Sequence, residues 1–155
     1  QDIFRPKNDE KQKKYYSGKQ KSHTLRNQII ITDNGKEIVD VIVGERGPES
    51  DIILFKKQQK KFDKEQRFQG DKGYQGGERI DTPKKKKRNH KMSYKVKKEN
   101  QKKAQKRIFV EHVIRLIKIF KVARERFRLK ESNYEKVILT ICGLVRLRIG
   151  ALMLT

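Results

Sequence analysis

The pattern that most constrains the fold is a pair of β-branched segments on either side of a four-residue turn sequence. The segment from His23 to Thr32 contains three consecutive isoleucines, and residues 37–44 return with five Ile and Val side chains. Between them lies Asp33-Asn34-Gly35-Lys36, in which Asn-Gly can supply the positive φ angles that a tight hairpin turn needs. The sequence therefore predicts an antiparallel hairpin.

Beyond the hairpin, helical and extended patterns alternate. Ser50 can cap a helix that runs from Asp51 toward Phe62, and residues 65–71 form a short, weakly hydrophobic strand. A long helix over about 101–128 carries an apolar stripe at helical spacing, and a last helix over about 133–154 is apolar nearly all round. This order predicts an α/β fold in which a mixed sheet is flanked by helices.

The chain divides into three parts of unequal character. Residues 1–22 are a basic, polar lead-in. We expect residues 23–128 to form the core with its sheet, and residues 129–155 to supply a C-terminal apolar helix that packs on the core. Arg146 and Arg148 lie well inside this last apolar segment and would be costly in hydrocarbon, so we expect a buried helix and no membrane span. The lone Cys142 excludes an internal disulfide and a cysteine-based zinc site.

Positive charge is in large excess. The 41 Lys and Arg residues outnumber the 19 Asp and Glu residues, which gives a net charge of +22. Such a charge makes a folded protein repel itself, and a polyanionic partner is the usual explanation. We expect one basic segment to contact the DNA backbone without sequence specificity, with a solvated loop as the alternative. This segment contains Lys84, Lys85, Lys86, Lys87 and Arg88, followed by Lys95, Lys97 and Lys98.

Asp71 is a candidate metal ligand and catalytic residue. It lies in the segment Gly70-Asp71-Lys72-Gly73-Tyr74-Gln75-Gly76. A short strand ends there and a glycine turn begins, so we expect the sheet to hold the carboxylate rigidly and leave it open to solvent. Gly73 allows a sharp turn, and Tyr74 can pack beneath the site. The alternative is an ordinary Asp-x-Gly turn, which is common in proteins.

Glu111 is the second candidate, and it lies among cations. At helical spacing, one face is shared by Arg107, Glu111, Arg115 and Lys118. Glu111 could therefore bind a metal ion while the cations hold phosphates, and the alternative is a set of exposed helix salt bridges. Asp71 and Glu111 together could share Mg²⁺ or Mn²⁺, which prefer oxygen ligands and promote phosphodiester chemistry. Two carboxylates are too few for a complete two-metal site.

Motifs along nearly the whole chain, in order, resemble the DDE superfamily endonuclease transposases of bacterial insertion sequences. The first are Arg5-Pro6-Lys7, Tyr15-Tyr16-Ser17-Gly18-Lys19 and His23-Thr24-Leu25. Those that follow are Gly47-x-x-x-Asp51-Ile52, the Asp71 segment, Thr82-Pro83-Lys84-Lys85, and the positions Arg107, Glu111 and Lys118. Ser50 stands where the family usually has histidine, and Ala104 stands where some relatives have tyrosine.

The resemblance implies a ribonuclease H-like catalytic domain in which Asp71 and Glu111 are the second and third acids of a catalytic triad. It also implies that Arg107 and Lys118 contact DNA phosphates, and that Asp51 is a typical family position outside the triad. The family's first acid lies in an Asp-x-Thr-Glu segment upstream of the Arg-Pro pair. We therefore expect a truncated copy that lacks this acid, the central first strand that carries it, and the N-terminal helical DNA-recognition region.

Together, these expectations describe a fragment of a transposase. The transposase cleaves and transfers DNA strands at insertion-sequence ends with Mg²⁺ or Mn²⁺, and we expect the fragment to be inactive alone. Its expected partners are terminal inverted repeats and target DNA, with a homodimer in the full-length form and a cytoplasmic, nucleoid-associated location. The alternative is a non-catalytic basic nucleic-acid-binding protein, whose charge-driven binding needs no metal. A ribosome-associated basic protein explains the charge but not the two acidic motifs.

Overall fold

The computed structural model describes residues 1–86 and 91–151, which form helices and short strands in mixed order. The helices are α1 (Asp9–Tyr15), α2 (Asp51–Gln58), α3 (Tyr94–Ile119), α4 (Lys121–Arg124) and α5 (Tyr134–Ala151). The strands are β1 (Tyr16–Ser17), β2 (Ser22–His23), β3 (Leu25–Ile31), β4 (Ile38–Arg46), β5 (Phe68–Gln69) and β6 (Ile80–Asp81). Short 3₁₀ turns cover Gln59–Lys61, Lys72–Tyr74 and Glu131–Asn133. A mixed α/β fold is therefore confirmed.

The predicted hairpin is present as β3 and β4, which pair antiparallel from Leu25 opposite Arg46 to Ile31 opposite Ile38. The turn closes with a hydrogen bond from the Thr32 amide to the Glu37 carbonyl at 3.0 Å. Only Gly35 in this turn has a positive φ, of 70°. The turn is therefore four residues long, and Asn34 does not adopt the left-handed conformation that a two-residue Asn-Gly turn would require.

One mixed sheet was predicted, and for the described residues this prediction is wrong. The strands form three separate pairs: β1 with β2 and β3 with β4 are antiparallel, and β5 with β6 is parallel. The reason is that α2 lies between the hairpin and β5. Its buried Gln58 side chain is 2.9 Å from that of Gln28 in β3, and its Phe55 ring packs edge-on against Phe68 of β5.

The main core lies where α5 packs on the hairpin. Buried α5 side chains recur at helical spacing at Tyr134, Ile138, Ile141 and Val145, so one face of the helix is covered. The cluster is completed by Leu25 and Ile38 from the hairpin, Val113 from α3, and Phe127, together with Cys142. The outward face of α5 keeps exposed apolar side chains, among them Leu144 and Leu147.

Several predicted element boundaries differ from the structure. The lead-in contains α1, which Asn8 caps by accepting a hydrogen bond from the Lys11 amide at 3.0 Å. The long helix α3 begins at Tyr94, earlier than predicted, because Ser93 caps it, and it ends at Ile119. Residues 152–154 of the predicted last helix lie outside the described residues. In the described ranges, no helix is both long and apolar enough to span a bilayer.

Gly35 should be the glycine at which a side chain destabilises the fold most clearly. A Cβ atom there would lie 2.7 Å from the Phe109 Cβ atom, and its φ of 70° strains any L-residue. We expect Gly35→Ala to lower the free energy of unfolding by about 2–4 kcal/mol in urea titrations, because the strain adds to the clash. Gly76→Ala shares the positive φ without the clash, and Gly18→Ala has neither. An order other than Gly35, Gly76, Gly18 in the loss of stability would contradict this assignment.

Candidate functional site

Asp71 lies in a tight turn directly after β5. Its Oδ1 atom accepts a hydrogen bond from the Gly73 amide at 2.7 Å, so the carboxylate caps the 3₁₀ turn Lys72–Tyr74. The strand before it is two residues long and pairs only with β6, so the sheet that precedes Asp71 is smaller than expected. Its position comes from this local hydrogen bond and from the packing of Tyr74, whose ring lies edge-on to Phe55 with centroids 6.0 Å apart.

A second carboxylate, Asp51, approaches the same turn from the N-terminus of α2. A Cβ atom on Gly73 would lie 2.9 Å from Asp71 Oδ1 and 3.1 Å from Asp51 Oδ2. The two oxygens are therefore within about 6 Å of each other, a separation at which like charges repel. A side chain at position 73 would crowd both carboxylates, so at least one of them would have to shift.

Arg26 of β3 offsets part of this repulsion. Its Nη1 atom lies 2.7 Å from Asp51 Oδ1, and both side chains are partly exposed. The charges also act on Tyr74: burial raises the pKa of its hydroxyl far above the ordinary value, and Asp51 and Asp71 raise it further. At neutral pH, Tyr74 is therefore a neutral hydroxyl beside two carboxylates and one guanidinium.

Glu111 lies on α3, outside the turn that contains Asp71. Its side chain is 63% exposed and forms an ion pair with Arg107, with Nη2 and Oε1 3.4 Å apart. Arg115 and Lys118 are exposed and form no ion pair within the described part of the chain. For Arg107 and Glu111, this arrangement matches the alternative of an exposed helix salt bridge. Arg115 and Lys118 remain available to a ligand.

Asp71 and Glu111 lie on different elements, the turn after β5 and the helix α3. Across residues 1–86 and 91–151, no three His, Cys, Asp or Glu side chains lie close enough together to hold an ion. The β5–β6 pair contacts α3 nearer its start, where Gln69 Nε2 donates to the Lys103 carbonyl at 2.9 Å and Lys103 Nζ lies 2.6 Å from Asp81. Lys103 and Glu111 are about 12 Å apart along the helix axis.

The basic segment is anchored to α3 at its first residue. The Asn100 side chain accepts a hydrogen bond from the Lys84 amide at 3.0 Å and donates one to the Lys84 carbonyl at 3.1 Å. Lys84 also pairs with Glu99 at 3.5 Å, while Lys85 and Lys86 are exposed. The predicted contacts of Lys87 and Arg88 lie outside the described residues.

The pairing of Asp51 with Arg26 was not predicted from the sequence. Ser50 and Asp51 were assigned to the start of a helix, and Ser50 does occupy the N-cap position, although its side chain makes no capping hydrogen bond. Asp51 instead turns toward a strand 25 residues earlier. The signal available was a lone arginine in a strand rich in isoleucine, which needs an acidic partner when it is partly buried.

Comparison with known proteins places these residues in a family. Residues 1–146 match the family model described as DDE superfamily endonuclease. The chain is 36% identical over 136 residues to a Microchaete diplosiphon protein described as a probable transposase for insertion sequence element IS702. That match covers 85% of this chain and 48% of the relative, so the chain spans about half the length of the curated relative it matches. No solved structure gave a significant match.

Ionisation of Tyr74 should destabilise the fold at alkaline pH. Because its pKa is raised in the folded state, the stability it contributes is fully present below the unfolded pKa of 10. That stability is lost as the pH rises toward the folded pKa, at about 1.4 kcal/mol per pH unit. Between about pH 9 and pH 11, Tyr74→Phe should therefore lose less unfolding free energy in urea titrations than the wild type does.

Two variants make this alkaline test specific to the acidic pair. Asp51→Asn removes one of the charges that raise the Tyr74 pKa, so it should reduce the alkaline loss in part. Tyr94→Phe changes a ring that is 81% exposed and should leave the loss unchanged. Burial also raises the pKa of Tyr134 to about 12, and this contribution is common to all the variants. An equal loss in the wild type and Tyr74→Phe would contradict the prediction.

Proposed function

Because the chain belongs to the DDE superfamily endonuclease family, we propose that it serves in a transposase that cuts and rejoins DNA at the ends of an insertion sequence. The observation that carries this proposal is the placement of Asp71 at an accessible glycine turn, beside Asp51 and Arg26. A net charge of +22 supports DNA as the substrate. The relative from Microchaete diplosiphon is itself described as a probable transposase for an insertion sequence.

DDE superfamily endonucleases generally use divalent metal ions, and the donors in this chain have suitable chemistry. Asp71 and Asp51 present carboxylate oxygens to one turn, and such oxygens suit Mg²⁺ or Mn²⁺. We propose that Asp71, from this turn, and Glu111, from α3, are the metal ligands and catalytic residues. When bound, the ion would activate the attacking water or 3′-hydroxyl and stabilise the leaving oxygen.

The ion pair of Glu111 does not oppose this role. Arg107 and Glu111 form an exposed pair one helical turn apart, and such a pair contributes only about 0.3–0.5 kcal/mol. The carboxylate can therefore leave Arg107 at little cost, and Arg107 is then free for a phosphate. Arg115 and Lys118, exposed on the same face, would hold neighbouring phosphates, with the basic segment from Lys84 to Arg88 adding further contacts.

We propose that the whole protein binds terminal inverted repeats and target DNA. We also propose that it has a ribonuclease H-like catalytic domain, forms a homodimer, and is cytoplasmic and associated with the nucleoid.

A second function, non-catalytic binding of nucleic acid, is favoured by one observation. Within the described ranges no three His, Cys, Asp or Glu side chains form a metal-binding group, and the charge alone would bind DNA without a metal ion.

Loss of either proposed ligand should weaken Mn²⁺ binding in the presence of duplex DNA. We expect Asp71→Asn and Glu111→Gln each to raise the Mn²⁺ dissociation constant by at least about tenfold, measured by electron paramagnetic resonance. Glu10→Gln removes the same charge from an exposed position on α1 and should have little effect. Equal Mn²⁺ binding by all four proteins would contradict the catalytic proposal and favour metal-independent DNA binding.

The 155 residues alone should bind inverted-repeat DNA without cleaving it. The family resemblance implies that Asp71 and Glu111 are two of the three acids of the triad, and two carboxylates do not complete a two-metal site. The assay is strand nicking of end-labelled DNA with Mg²⁺ or Mn²⁺, with EDTA as the control. Metal-dependent nicking by the wild type that Asp71→Asn abolishes would contradict the expected inactivity while supporting the role of Asp71.

A further inference from the structure

The N-terminal half of α3 carries an unusually one-sided charge. Residues 94–106 contain six lysines and a single acid, Glu99. Two charged residues of this half-helix already form ion pairs, Glu99 with Lys84 and Lys103 with Asp81. The remaining lysines of this half-helix have no acidic residue of their own to neutralise them within the described ranges.

Four of these lysines form a continuous stripe. Lys95, Lys98, Lys102 and Lys106 are spaced by three, four and four residues, which places them along one face of the helix. All four are exposed, and none forms an ion pair with a described residue. Lys97 lies on a different face, because residues two apart on a helix point in different directions. We call these four residues the lysine stripe.

The lysine stripe begins where α3 leaves its contacts with the core and with the hairpin turn. The same face continues toward the C-terminus with Phe109 and Val113, at spacings of three and four. Phe109 covers Gly35 at the hairpin turn, and Val113 is buried in the main core. The stripe therefore projects beyond the hairpin on a helix whose other end is fixed by the core, so its geometry is set without a ligand.

Like charges three and four residues apart destabilise a helix, so the stripe has a cost in the absence of a partner. Its length is about 16 Å along the helix axis, which corresponds to about five phosphates of one strand of duplex DNA. Four cations along that distance match the charge density of a phosphate backbone. Tyr94, at the start of the stripe, is the one aromatic residue from Lys91 to Lys106, whereas proteins that bind single strands stack successive bases on several rings, which favours duplex over single-stranded DNA.

We propose that the lysine stripe is a docking surface for the phosphate backbone of duplex DNA, separate from the Arg107, Arg115 and Lys118 face. This inference rests on the proposed function, in which the chain acts on DNA. Lysines act as point charges and read no base edges, so the stripe positions the duplex and adds affinity without sequence specificity. With the far end of α3 anchored in the core, the bound duplex takes a fixed orientation relative to Glu111.

The test is the salt dependence of binding to a fluorescent mixed-sequence duplex, followed by anisotropy from about 50 to 200 mM salt. Each phosphate contact contributes about 0.9 to the slope of log K against log salt concentration. We expect the quadruple variant K95Q/K98Q/K102Q/K106Q to lower the magnitude of that slope by about 3.6, and Lys102→Gln alone by about 0.9. Glutamine keeps a helix propensity close to that of lysine, so circular dichroism should show an unchanged fold.

The matched control is K13Q/K19Q/K56Q/K60Q, which removes four exposed lysines from other parts of the chain and the same net charge. Its slope should stay within about one unit of the wild type. An unchanged slope in both the stripe quadruple and Lys102→Gln, or an equal fall in the control, would overturn the lysine stripe while leaving DNA binding intact. A wild-type chain that does not bind duplex DNA at low salt would overturn the proposed function as well.

Discussion

Burial of one face of α5 against the hairpin is the interaction on which the rest of the structure depends. In a chain with 39% charged residues, apolar side chains are few, and the main buried ones gather in a single cluster. That cluster joins the hairpin, α3 and α5, and Val113 is the contribution of α3. This contact fixes the C-terminal half of α3, while Gln69 and Lys84 hold its N-terminal half through hydrogen bonds.

The acidic pair depends on a second, smaller group of aromatic rings. Phe55 of α2 packs edge-on against Phe68, with centroids 5.1 Å apart, and also against Tyr74, while Phe62 packs against Phe68 at 5.2 Å. Strands of two residues give little stability on their own. The rings therefore hold the Asp71 turn against α2, which brings Asp51 beside it. The carboxylates are placed by aromatic packing more than by a sheet.

Local features of the fold could be predicted from the sequence, and non-local ones could not. The hairpin, the helix after Ser50 and the two long helices follow from β-branched runs, capping residues and apolar spacing. The start of α3 was missed because its lysine-rich first turns have no apolar period, although lysine, glutamine and alanine favour helix and Ser93 supplies a cap. The separation of the strands into pairs and the Arg26–Asp51 contact depend on packing between distant segments. The placement of Asp71 in a Gly73 turn was predicted, while its neighbour Asp51 was not.

Gly73 lies between two carboxylates that reach it from different elements, one from its own turn and one from α2. A side chain at this position would displace at least one of them, and loss of Asp51 would leave Arg26 without its partner. The three positions are therefore linked by direct contact. In sequences descended from a common ancestor, replacement of Gly73 should be accompanied by changes at Asp51 and Arg26, so that correlated variation records a contact that separation along the chain conceals.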